Sequence, residues 1–194
     1  MDQRHEEMTP AAPLGPEELA AALALVRESV EALVREGRRL EPPGGHSLSS
    51  RRSAAFVTLS VGGRLRGCIG LLEPLGSLEQ TLIHCAIAAA AEDRRFPPVS
   101  AGELPDLRYE ISILSPLLPV PSFDEIEVGR HGVLIQARGR QGLLLPQVPV
   151  EHGWNRETYL ENACRKAGLP RDALKWPDTR IWVFTAEVFG GETP

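Results

Sequence analysis

Cysteine is scarce in this sequence, and no two cysteines stand close together. Only Cys68, Cys85 and Cys164 occur in 194 residues, an odd number without a Cys-x-x-Cys pair, which excludes a disulfide framework or a zinc knuckle and fits a reducing compartment. Long hydrophobic runs are missing too. The apolar stretches fall far short of the ~20 residues that a bilayer core requires. The start, Met1-Asp2-Gln3-Arg4-His5-Glu6-Glu7, has no basic stretch leading into an apolar one, and neither end carries a lipidation motif. A cytoplasmic chain that meets no membrane is the expectation. There is no surplus of positive charge: 21 lysines and arginines stand against 26 acidic residues, a net charge of -5, which argues against a nucleic-acid partner. No period recurs, so a solenoid is excluded. Nor does the chain contain a Gly-x-Ser-x-Gly elbow, a Walker loop, a Rossmann fingerprint or His-Glu-x-x-His, which removes the commonest hydrolase, nucleotide and zincin readings. His46, His84, His131 and His152 stand apart from one another, and no metal site is expected from them.

What is present suits one domain, or one domain with a small lobe, because 42% hydrophobic and 24% charged residues are enough to bury a core. Residues 1–16 carry three prolines and no periodicity and read as a mobile leader. Pro16-Glu17-Glu18 then starts a helix whose apolar stripe is Leu19, Leu23, Val26, Val30, Leu33 and Val34, with Gly37 as its stop. Residues 41–53 read as a loop. Ser77 and Gln80 form a capping box for a helix that ends near Ala91, with Leu78, Leu82, Cys85, Ala86 and Ala89 on its buried side. Leu107 to Leu114 alternates as a strand, with Tyr109, Ile111 and Ile113 on one face. Pro116, Pro119 and Pro121 mark an edge or a connection. A second hairpin follows from Val133 to Leu145 about Gly139-Arg140, then a helix from about Asn155 to Lys166, and a closing strand from Arg180 to Phe189. Hairpins and helices without regular alternation predict an α+β fold with a mainly antiparallel sheet flanked by helices.

The first hairpin carries the residues of chemical interest. Ala55 to Val61 and Arg64 to Leu72 flank Gly62-Gly63, and a two-residue loop there sets Val61 against Arg64, Leu59 against Arg66 and Val57 against Cys68. Apolar residues then fall on both faces, which predicts a central hairpin covered on both sides. Cys68 lies between Gly67 and Gly70, which remove bulk so that a backbone or a ligand can come close. With Arg66 on the same side, this would allow a reactive thiol in a cleft, but Val57 and Leu59 share the predicted face, and residue type alone favours a packed, inert thiol. Cys85 and Cys164 read as packing residues. Asp93, Arg94 and Arg95 follow a helix C-terminus, where arginines complement the dipole. Between Arg35 and Arg66, seven arginines face only Glu36 and Glu41, a local surplus of five charges that fits a solvated surface or an acidic partner.

Taken together, Phe56-Val57-Thr58-Leu59, Leu65-Arg66-Gly67-Cys68-Ile69-Gly70, Glu92-Asp93-x-Arg95-Phe96-Pro97-Pro98, Leu143-Leu144-Leu145-Pro146-Gln147-Val148, Glu151-x-Gly153-Trp154 and Cys164-x-Lys166-Ala167-Gly168-Leu169-Pro170 resemble the AMMECR family in order and spacing over residues 18–190. The hexapeptide Leu65 to Gly70 is the family's hallmark. Prokaryotic members are called AmmeMemoRadiSam system protein A. The resemblance implies an α+β domain over 17–190 with a smaller second lobe, leaving 191–194 as a tail. It also implies encoded neighbours, a Memo-like protein and a radical S-adenosylmethionine enzyme, as partners. The resemblance is not itself a mechanism; the leading hypothesis is an enzyme, or a component of an enzyme system, acting on a small molecule or a modified residue, with Cys68 as nucleophile or redox thiol, Arg66, Asp93, Arg95 and Gln147 around it and the arginines holding an anionic group. It names no cofactor. The alternative is a partner-binding module in which the hallmark strand serves packing alone.

Overall fold

The computed structural model describes residues 13–45 and 47–191; His46 and most of the expected leader and tail lie outside them. Helix α1 (Pro16–Glu36) begins with proline at its first position, where the missing N–H costs nothing, and ends at Gly37 in the left-handed region (φ 64°). The expected loop at 41–53 contains a single helical turn, α2 (Ser47–Ser50), because Leu48 is fully buried and pins the segment to the core. The Ser77 capping box opens α3 (Leu78–Ala91). Its apolar face is wider than a stripe. Eleven of its fourteen residues are buried, since α3 packs between α1 and the sheet and its small alanines allow both approaches.

The chain divides into two compact units: one runs through Leu114 and resumes at Glu187, the other spans Ser115–Ala186. In the first unit β1 (Ala55–Val61), β2 (Arg64–Leu71), β3 (Leu107–Leu114) and β8 (Ala186–Gly190) form a sheet in the order β2-β1-β3-β8, with β1 antiparallel to β2 and β3. Val57 and Leu59 of β1 and Tyr109 and Ile111 of β3 meet Val26 and Val30 of α1 and Leu82 and Cys85 of α3 in one core. Leu14 joins this core, and its N–H donates to Glu187 (3.1 Å), so the last residues before α1 are anchored rather than part of a mobile leader.

The Gly62-Gly63 turn forms as expected, with φ 54° and 72°, the pair of positive values that a type I′ hairpin requires. The register beyond it differs. Val61 pairs with Arg64 and Ser60 with Leu65, but Leu59 pairs with Gly67, Thr58 with Cys68 and Val57 with Ile69. Arg66 is therefore an extra residue in a β-bulge, and one inserted residue turns every later side chain of β2 to the opposite face. Cys68 and Gly70 share the outer face with Phe56 and Thr58, while Gly67 and Ile69 face the core. The hairpin is not central either: β2 is an edge strand.

In the second unit β4 (Leu118–Pro119), β5 (Gly132–Ala137), β6 (Arg140–Leu144) and β7 (Arg180–Phe184) form a sheet in the order β4-β7-β5-β6, all pairs antiparallel. Helices α4 (Gln147–Glu151) and α5 (Arg156–Lys166) follow β6, and Asn155 caps α5 through Thr158 N–H. The β5–β6 turn is Arg138-Gly139 (φ 50° and 71°), one residue earlier than expected. Arg138 holds its left-handed backbone with its guanidinium 3.6 Å over the Trp176 ring. The expected closing strand is split at Thr185, and β7 and β8 belong to different sheets.

A methyl group at Gly67 would stand 2.1 Å from the Ala89 carbonyl oxygen, whereas one at Gly102 would meet nothing within 4 Å. Gly67→Ala is therefore expected to cost about 1–3 kcal/mol, the usual range for overpacking, and Gly102→Ala next to nothing. Urea denaturation of the two variants measures the difference; equal midpoints would show that α3 does not depend on the missing side chain.

Candidate functional site

The site is built on the outer edge of β2. The end of α3 places the loop there: Phe96 N–H donates to the Asp93 carbonyl (3.0 Å) and Val99 N–H to the Ala90 carbonyl (2.8 Å), curling residues 93–98 back beside the strand. Asp93 then caps the strand edge. Its Oδ2 accepts the Cys68 backbone N–H at 2.9 Å and Arg95 Nη2 at 2.6 Å, and its Oδ1 accepts the Arg95 N–H at 3.1 Å and Arg95 Nε at 2.9 Å. Arg95 Nη2 also reaches the Cys68 carbonyl at 3.4 Å. Asp93 is buried, and the Arg95 guanidinium, with help from the two backbone N–H groups, holds its carboxyl well below the usual carboxylate range.

Arg66 faces other work. Its Nε and Nη2 donate to the two Glu103 oxygens (2.6 and 3.2 Å), Nη1 to the Pro97 carbonyl (2.9 Å) and Nη2 to the Pro98 carbonyl (3.1 Å). Glu103 is in turn bound by Ser100, whose N–H and hydroxyl both donate to it at 2.8 Å. This occupied clamp replaces the expected anion-binding and thiol-tuning role of Arg66. The proton on Glu103 is correspondingly hard to add: the Arg66 hydrogen bonds, then the Ser100 N–H, lower its pKa to about 2.

Cys68 itself is half-buried on the outer face, and the Thr58 hydroxyl donates to its Sγ at 3.3 Å. Thr58 escaped the sequence reading because the unbulged register set Val57 opposite the thiol. Gly67 and Gly70 serve packing: the first admits the α3 backbone at Ala89, and the second admits the Phe56 ring, within 2.5 Å of where its Cβ would be. Cys85 and Cys164 are buried, and burial pushes the Cys85 thiol up to about 12 and raises that of Cys164. The structure thus brings Cys68, Asp93 and Arg95 together, with Arg66 engaged beside them. Gln147 belongs to the second unit as the first residue of α4, its Oε1 buried without a hydrogen-bond partner among the described residues.

Charge elsewhere is locally neutralised. Of the seven arginines between 35 and 66, Arg38 pairs with Glu36, Arg39 with Glu92, Arg51 with Glu18 and Arg66 with Glu103, so most of the surplus seen in the sequence is met by carboxylates that the fold brings in. Among the described residues no three of His, Cys, Asp and Glu converge as metal ligands, and no helix is long and apolar enough to cross a membrane.

A profile of the AMMECR1 family matches residues 23–189. A protein of Thermococcus gammatolerans is 44% identical over 181 residues, 88% of each chain, and one of Methanothermobacter thermautotrophicus is 41% identical over 187 residues, 92% of this chain and 96% of its own. The crystal structure of the uncharacterized protein PH0010 from Pyrococcus horikoshii is similar with a TM-score of 0.87 at 37% identity, covering 93% of this chain and 95% of that one.

The Arg66–Glu103 clamp has a pH signature. A carboxylate whose pKa falls from an ordinary value of about 4.3 to about 2 on folding adds stability that is complete above the ordinary value and is lost as pH drops through the folded one. The melting temperature should therefore fall from about pH 4.5 toward 2, with Glu18, lowered to about 2 by Arg51, and Asp93 adding to the slope. Glu103→Gln should melt lower than the native chain at pH 6 and show a shallower fall below pH 4.5; parallel curves would mean that the clamp contributes nothing.

Proposed function

We propose, from the premise that this chain belongs to the AMMECR1 family, that it is the protein A of an AmmeMemoRadiSam system. In this reading it works in the cytoplasm beside a Memo-like protein and a radical S-adenosylmethionine enzyme, and acts on a small molecule or a modified residue through Cys68. One observation carries the reading. Of three cysteines, Cys85 and Cys164 are sealed in the two cores, and Cys68 alone is partly exposed, on the outer face of the sheet with a hydroxyl donating to its sulfur. The strand that bears it is held at both backbone groups by Asp93 and Arg95, which fixes the sulfur in place, and a fixed nucleophile is what covalent or redox chemistry on a bound molecule needs.

A second reading, a non-catalytic module that docks those partners, is favoured by a different observation: Arg66 and Asp93 spend their charges on architecture. Cys68→Ser separates the two. In a complementation assay the working-thiol reading expects loss of function with little change in melting temperature, since Cys68 is half-exposed and already beside a hydroxyl. Cys85→Ser should instead lose stability, by about 1–3 kcal/mol for a poorly bonded hydroxyl in the core. Iodoacetamide should label native Cys68 well ahead of Cys85. Equal labelling together with full complementation by Cys68→Ser would leave the docking module as the answer.

A further inference from the structure

Resting on Cys68 as the working thiol, we infer that the molecule presented to it carries an oxyanion, a carboxylate or phosphate, held by the outward edge of Arg95. The Asp93–Arg95 pair is asymmetric toward solvent. The Asp93 side chain is 6% exposed and that of Arg95 57%, and both carboxylate oxygens are already taken up by N–H donors, from the Cys68 backbone and from Arg95 itself. The negative charge is thus turned inward. On the guanidinium, Nε and Nη2 are engaged, whereas Nη1 has no hydrogen-bond partner among the described residues.

Asp93 grips two of the three guanidinium nitrogens, so the arm is held before any ligand arrives and little side-chain entropy remains to be lost on binding. A guanidinium with an open edge binds carboxylate and phosphate by charge-assisted hydrogen bonds. Arg94, next in sequence, is exposed and makes no ion pair among the described residues. Arg95 Nη2 reaches the Cys68 carbonyl at 3.4 Å, which sets the guanidinium beside the residue that bears the sulfur. A small molecule with its anionic group at Arg95 therefore has its other end near the sulfur. Arg66 is no competitor, because its donors are bound to Glu103, Pro97 and Pro98.

Two alkylating probes of similar size test this on the full chain. With iodoacetate and with iodoacetamide alike, the Cys68 sulfur attacks the CH2 carbon, a C–S bond forms, the C–I bond breaks with iodide leaving, and the thiol proton goes to buffer. The same thiol attacks both, so the ratio of the two rates isolates the effect of the probe's carboxylate. Mass spectrometry of the Cys68 peptide gives that ratio in the native chain and in urea. The native ratio is expected to exceed the denatured one at least about fivefold at low salt, in line with electrostatic steering, and to collapse to it in Arg95→Gln. Inorganic phosphate should slow iodoacetate and leave iodoacetamide unchanged.

Should Arg95→Gln fail to fold, the phosphate arm on the native chain decides alone. Equal native and denatured ratios, a preference that survives phosphate, or a Cys68 that neither probe reaches would overturn the inference. The two proposals fail separately: full complementation by Cys68→Ser removes the working thiol and leaves the rate ratio as measured, whereas a flat ratio beside a failed complementation removes only the oxyanion.

Discussion

The guanidinium of Arg66, set on four acceptors, holds the arrangement of the hallmark strand. Its grip on Glu103 and on the carbonyls of Pro97 and Pro98 ties a bulged residue of β2 to the segment after α3. The bulge has a long reach for a small cause. In an unbroken ladder Cys68 would sit opposite Val57 and point into the core; with one residue inserted it sits opposite Thr58 and points out. The same shift turns Gly67 inward, and glycine is the residue that lets the Ala89 carbonyl approach there. The bulge, the close helix and the outward thiol form one construction, so changing any of them disturbs the other two.

An edge strand leaves every second N–H and C=O without a partner, and proteins cover such edges to prevent pairing with foreign chains. Here the cover is a side-chain pair. Asp93 takes the Cys68 N–H and Arg95 approaches its C=O, doing at one position what a neighbouring strand would do along its length. The loop that supplies both residues is suited to this. Pro97 and Pro98 have no N–H to satisfy, which leaves their carbonyls to Arg66.

Elements whose signals are local were legible in the sequence. The Gly62-Gly63 turn, the Ser77–Gln80 capping box, the helix from about Asn155 to Lys166 and the strand Leu107–Leu114 each depend on residues a few positions apart, and each stands where expected. The misread features depend on distant partners. The bulge needs Glu103, 37 residues away; its own signal, Ser100 followed by Glu103 as a capping box, was present but says nothing of Arg66. The strand from Arg180 to Phe189 reads as continuous because β-branched and aromatic residues run through it, and only the partners of each half reveal two sheets. The cluster of arginines looked like a basic patch because Glu18, Glu92 and Glu103 lie outside it in sequence.

Composition therefore misstates the chemistry of the hallmark segment in both directions. Its two glycines suggest room for a ligand, yet the space is filled by the Ala89 carbonyl and the Phe56 ring. Its arginine suggests an anion site, yet its donors are occupied. Arg95, which reads as a plain complement to a helix end, forms with Asp93 the pair that holds the thiol's strand. Near the edge of β2 the Cys68 sulfur accepts one hydroxyl, and Arg95 Nη1 has no hydrogen-bond partner among the described residues. A soft nucleophile and a fixed cation with capacity to spare on one strand edge mark a part of the structure that packing does not account for.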